Sequence, residues 1–111
     1  MDIRIRTNQT IYIIDIGGEM ALADSILLKE LVMKMIEKKV EKFIINMKNV
    51  STFDSSGIGA LIYISSTLRK MNLDLAIANI QGPVKDVIEL TKLSNYFIIC
   101  EDVKTAIETL S

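Results

Sequence analysis

The chain opens on a strict alternation. Ile3 and Ile5 stand between Asp2, Arg4 and Arg6, the period of two expected of a strand with one wet face. The charges mark that strand as a sheet edge, where they discourage pairing with another chain. Asn8-Gln9 supplies a turn. Ile11-Tyr12-Ile13-Ile14-Asp15-Ile16 then reads as a second, more buried strand ended by Gly17-Gly18, so the pair predicts a hairpin. From there the period lengthens. Leu27, Leu28, Leu31, Met35 and Ile36 recur at helical spacing, with Lys29, Glu30, Lys34, Glu37 and Lys38 on the wet side. This predicts a helix capped by Asp24 or Ser25 and running to about Lys39.

The apolar run Phe43-Ile44-Ile45-Asn46-Met47 predicts a short strand covered by helices. A second helix is expected from Ser56 or Gly57 to Lys70, and Leu73-Asp74-Leu75-Ala76-Ile77-Ala78 is the next strand. Gly82-Pro83 opens a third helix, with the proline where its missing N–H costs nothing, carrying Val84, Val87, Ile88 and Leu90. Tyr96-Phe97-Ile98-Ile99-Cys100 reads as a last short strand. Asp102 caps a final helix carrying Val103, Ala106, Ile107 and Leu110. The order β-β-α-β-α-β-α-β-α predicts one α/β domain over residues 1–111, a mixed, mostly parallel sheet of about five strands with about four helices.

Composition narrows the function by subtraction. A chain of 111 residues, half hydrophobic and 24% charged, suits one domain with its own core. The net charge of -1 leaves no electrostatic footprint for nucleic acid. There is no histidine, so neither a Ser-His-Asp nor a Cys-His nucleophile can be assembled. One cysteine, Cys100, is no zinc ligand set; inside an apolar run it reads as a small buried hydrophobe suited to a reducing compartment. No glycine loop of dinucleotide or Walker type follows a strand. No apolar run approaches the ~20 residues of a membrane span, and the charged start is no signal peptide. The expectation is a cytoplasmic protein that is not an enzyme, with no catalytic residue, no metal, no cofactor and no membrane or nucleic-acid partner.

Chemistry concentrates in Phe53-Asp54-Ser55-Ser56-Gly57, beyond the carboxyl end of the central strand, where such sheets meet ligands and partners. One reading is a helix cap, with Ser55 or Ser56 accepting a hydrogen bond from an early helix N–H, worth about 1 kcal/mol. Two features favour more. Gly57 and Gly59 each disfavour a helix by about 1 kcal/mol relative to alanine, and make sense if another backbone comes close. Residues 57–68 also carry no charge. With Ile58, Leu61, Ser65 and Leu68 inward, Ala60, Tyr63, Ile64 and Thr67 form another face, read either as a docking surface or as a helix more buried than its neighbours.

The run Asp54-Ser55-Ser56-Gly57-Ile58-Gly59, following Asn46-Met47-Lys48-Asn49-Val50-Ser51-Thr52-Phe53, resembles the signature of bacterial anti-sigma factor antagonists, the STAS domain. The resemblance extends to Gly18-Glu19-Met20, the first long helix and the Pro83-Val84 helix start. It implies that Ser55 is the phosphoacceptor, with Asp54, Ser56, Gly57 and Gly59 forming the loop and cap. Glu19, Met20, Ile58, Ala60, Tyr63, Ile64 and Thr67 become the partner surface. The implied partners are an anti-sigma factor that is also a serine kinase, and a phosphoserine phosphatase. The unphosphorylated form binds the anti-sigma factor and frees the sigma factor; the phosphorylated form lets go. Ala21 departs from the aspartate that the family often has there. Three rivals are a STAS scaffold or subunit of a larger signalling or transport complex that is never phosphorylated, a small-ligand or nucleotide pocket, for which nothing in the chain positions a base or phosphate, and an aspartyl-phosphate receiver built on Asp54. The receiver lacks the acidic cluster and lysine that its Mg²⁺ chemistry needs.

Overall fold

The alternation at the start of the chain does form the hairpin: β1 (Asp2–Asn8) runs antiparallel to β2 (Ile11–Met20), with Gln9 at φ 55° in the turn. In the computed structural model, which describes residues 1–90 and 98–111, the remaining elements are α1 (Leu22–Glu37), β3 (Lys42–Phe53), α2 (Ser55–Lys70), β4 (Asp74–Ala78), α3 (Gly82–Leu90), β5 (Ile98–Cys100) and α4 (Val103–Leu110). The strand order is β1-β2-β3-β4-β5, antiparallel only between β1 and β2. The predicted order, mixed sheet and edge position of β1 all hold. Tyr96 and Phe97, expected in the last strand, lie outside the described residues, as do the side chains of Pro83 and Leu90.

Four predicted boundaries move, each for a physical reason. Gly17-Gly18 do not end β2. The register against β3 shifts on either side of them, and Gly18 at φ 83° carries the strand through the irregularity. β3 continues well past Met47, for 12 residues in all. Beyond Asn46 its core-facing residues are Met47, Val50 and Phe53, three apart, so the period of two that betrays a strand is lost. The cap of α1 is Ala21, not Asp24 or Ser25. Asp24 instead reaches back one turn, its carboxylate accepting the Ala21 N–H at 2.9 Å. The helix stops at Glu37 rather than Lys39, because Lys39 at φ 71° lets the Val40 N–H close on the Met35 carbonyl at 3.1 Å. Leu27, expected inward, is exposed; Val32 holds the buried place.

α1, α2 and α3 pack one face of the sheet, burying Ile14, Ile16, Phe43, Ile45, Met47 and Ile77. α4, capped by Asp102 as expected through the Thr105 N–H at 2.7 Å, covers Ile11, Ile13, Ile44, Ala76 and Ala78 on the other. Cys100 is buried beneath α4. One helix leaves part of that face open, and there apolar positions give way to polar ones. Asp15 follows Ile11 and Ile13 on the α4 side of β2, and Asn46 follows Ile44 on β3. Asn46 Nδ2 donates to Asp15 Oδ1 at 2.7 Å, Arg6 Nε donates to Asp15 Oδ2 at 2.7 Å, and Asn79 Nδ2 donates to Asn46 Oδ1 at 2.8 Å. The chain of four side chains ties β1, β2, β3 and the end of β4 together.

Burial alone pushes the Asp15 carboxyl up, but the hydrogen bonds from Arg6 and Asn46 and the charges of Arg6 and Arg4 outweigh it and hold it below the usual range. The folded state therefore favours the ionised form. Its contribution is complete above the ordinary aspartate value of about 3.9 and is lost as pH falls through the lower folded value. Asp15→Asn should flatten the acid limb of the stability profile. The difference in urea midpoint between wild type and mutant should shrink steadily from about pH 5 to about pH 2, and parallel curves would contradict this account.

Candidate functional site

β3 ends by burying Phe53 and turning Asp54 out at φ -110° and ψ -172° as the N-cap of α2. Asp54 Oδ1 accepts the N–H of Ser56 at 2.9 Å and of Gly57 at 3.2 Å, together with the Ser56 hydroxyl. The cap is therefore Asp54, and neither Ser55 nor Ser56. An ionised carboxylate satisfies the same orphan N–H groups as a hydroxyl and also meets the positive end of the helix dipole. The Ser56 hydroxyl, the Gly57 N–H and the Ser56 N–H hold the Asp54 carboxyl below the usual range, so it is ionised at neutral pH.

The two serines part company. The Ser56 hydroxyl donates to Asp54 and lies 3.3 Å from the hydroxyl of Ser25, in the first turn of α1. Ser55, the first residue of α2, is exposed, and its hydroxyl makes no hydrogen bond among the described residues. Ala21, the departure from the family pattern, is the cap of that same neighbouring helix. The difference thus falls on a helix start whose N–H Asp24 already serves.

The glycines also part. A Cβ on Gly57 would stand 2.7 Å from the Phe53 ring, so this glycine answers to its own chain and not to a partner. A Cβ on Gly59 would meet nothing within 4 Å; no packing demands glycine there.

Of the expected partner surface, Glu19 and Tyr63 are exposed and Thr67 is half-buried, its hydroxyl donating to the Tyr63 carbonyl at 2.8 Å. Met20, Ile58, Ala60 and Ile64 are not on a surface; all four belong to the main core. The charge-free stretch of α2 is explained by burial against the sheet and α1 more than by docking. Two exposed apolar residues went unrecognised, Leu22 and Ile26 on α1. Their spacing of four, offset from the Leu28-Val32-Met35 stripe, was the available signal. Ile26 lines a shallow groove of about 470 Å³ with Lys29, Met33 and Tyr63, and the Lys29 ammonium stands 5.2 Å from the Tyr63 ring centroid. Among the described residues no group of acidic or cysteine side chains could hold a metal ion, and no helix is long and apolar enough to cross a membrane.

The family model of the STAS domain matches residues 2–106. An anti-sigma-B factor antagonist of Staphylococcus aureus is 24% identical over 101 residues, covering 91% of this chain and 94% of that protein. Among solved structures, a Thermotoga maritima protein proposed to be an anti-sigma factor antagonist superposes with a TM-score of 0.90 at 19% identity, over 97% of this chain and 93% of the other. The Bacillus cell fate determinant SpoIIAA in its phosphorylated form gives 0.77 at 16% identity, over 99% and 100% of the two chains.

The site's internal packing makes two opposite forecasts for one kind of change. Gly57→Ala must displace the Phe53 ring and should lower stability by about 1–3 kcal/mol in urea unfolding. Gly59→Ala, on an open helical position, should raise it by up to about 1 kcal/mol.

Proposed function

The chain belongs to the STAS domain family, and on that premise we propose that it is an anti-sigma factor antagonist that works by partner switching, with Ser55 as the phosphoacceptor. The observation that carries this reading is the exposed hydroxyl of Ser55 at the start of α2, without a hydrogen bond among the described residues, beside a serine whose hydroxyl is already engaged. In the unphosphorylated state the surface around Ser55, with Glu19, Gly59, Tyr63 and Thr67, binds an anti-sigma factor and frees the sigma factor. Met20, Ile58, Ala60 and Ile64 support that surface from beneath.

The anti-sigma factor is also the kinase and brings ATP. Ser55 Oγ attacks the γ-phosphorus, the bond to the bridging oxygen of ADP breaks, and the serine proton passes to a base of the kinase. A phosphoserine phosphatase reverses the modification. The phosphate adds about -1.5 to -2 charges. The helix N-terminus favours that charge by roughly 0.3–1 kcal/mol. The neighbouring Asp54 carboxylate opposes it by a similar order, so the fold survives. Burying the same charge against an apolar partner costs several kcal/mol unless a cation meets it. A loss of about 3 kcal/mol is already more than a hundredfold in affinity.

A permanent scaffold is the second reading, favoured by the family departure at Ala21. Peptide mass spectrometry on protein isolated from its own cells separates the two: phosphate on the Ser55 peptide supports the switch, and its absence under several growth conditions supports the scaffold. Ser55→Ala should hold the kinase permanently, while Ser55→Asp should bind about a hundredfold more weakly with an unchanged melting temperature. Equal affinity of the two variants would sink the switch.

A further inference from the structure

Two adjacent hydroxyls stand at the start of α2, and their difference has a source outside the loop. Ser25 is 2% exposed, and its Oγ lies 3.2 Å from the Ala21 carbonyl and 3.3 Å from Ser56 Oγ. A hydroxyl has one proton and two lone pairs. The Ser56 proton goes to the Asp54 carboxylate, the strongest acceptor in reach. The contact between the serines is then made by Ser25 donating, its proton shared between the Ala21 carbonyl and Ser56 Oγ. Ser56 therefore has its proton committed and a lone pair drawn upon, whereas Ser55 has neither.

Phosphoryl transfer needs an oxygen that can turn a lone pair in line with the γ-phosphorus, and the lone pair of Ser56 is the one that Ser25 draws upon. From this geometry we infer that Ser25 is a positioning residue: it withholds Ser56 from phosphoryl transfer and directs the modification to Ser55. The inference rests on the phosphoacceptor reading above. Ser25 acts through Ser56, from another helix, and touches neither the nucleotide nor the reacting oxygen. It fixes the half-buried Ser56 hydroxyl toward α1, while the exposed Ser55 hydroxyl is left to meet a kinase arriving from solvent.

The experiment compares the distribution of phosphate between Ser55 and Ser56, by fragmentation of the phosphopeptide at partial conversion, in wild type, Ser25→Ala and Ser25→Thr, each isolated from the protein's own cells. A purely structural role would change total incorporation and melting temperature together, and leave the split alone. In Ser25→Ala the share on Ser56 should rise about five- to tenfold, the change expected from losing one neutral hydrogen bond. Ser25→Thr, which keeps the hydroxyl, should return the split to that of wild type. Should Ser25→Ala fail to accumulate, Ser25→Cys, whose thiol is a weak donor, should shift the split in the same direction. Phosphate on Ser55 with an unchanged split in the variants overturns this inference alone. Absence of phosphate from both serines in wild type removes the phosphoacceptor reading, and this inference with it.

Discussion

Opposite Asp15 on β2 stands Asn46 of β3; opposite Gly17 stands Asn49; opposite Glu19 stands Thr52. β3 thus twice uses three residues where β2 uses two, and the end of the molecule that carries the Asp54-Ser55-Ser56 loop is arranged by that slippage. It turns Met47, Val50 and Phe53 toward the helices in succession, where regular pleating would send Asn49 and Ser51 inward. Phe53 arrives buried at the end of the strand, and Asp54 follows pointing out. The carboxylate then gathers the first N–H groups of α2, and the helix starts one residue earlier than serine capping would allow. A strand irregularity is commonly found where a side chain must be re-aimed near a working surface.

Most of the fold was legible because most of it follows one rule at a time. The hairpin, the run from Phe43 to Met47, the Gly82-Pro83 start and the Asp102 cap each show a single strong pattern. What escaped notice was where two patterns compete. Lys48 to Phe53 carries apolar residues every three positions, which belongs to neither a strand nor a helix read alone. Ala21 looks like no cap at all, and its role depends on a carboxylate three residues on. The site divides in the same way. Asp54, Ser55 and Ser56 were recognisable from type and spacing, but the contact between Ser56 and Ser25, 31 residues distant in sequence, was not. Ala60 and Ile64 fall outside the Ile58-Leu61-Leu68 stripe, yet both are buried, because α2 is enclosed by the sheet and by α1 together.

Polar side chains are used sparingly inside this domain, with Ser25, Asn46 and Ser65 the buried ones among the described residues. Asn46 is enclosed, yet its amide gives to Asp15 and its carbonyl oxygen receives from Asn79 and the Lys48 N–H. Ser25 and Ser56 are similarly engaged. No buried side-chain nitrogen or oxygen among the described residues is left without a partner. Such networks cost little when complete and much when broken, so they fix geometry more than they add stability. Ser55 contrasts with them: its exposed hydroxyl, at the first position of α2, makes no hydrogen bond among the described residues.

Phe53 and Gly57 form one unit of shape, an aromatic ring and the missing side chain one helical turn away that admits it. Drift at either position is therefore conditional on the other. A lineage that shrinks residue 53 is released from glycine at 57, while one that keeps the ring is not. The glycine at the start of α2 is thus inherited with the end of β3, and its presence in a distant sequence reports on how that strand is packed before it reports on any hydroxyl.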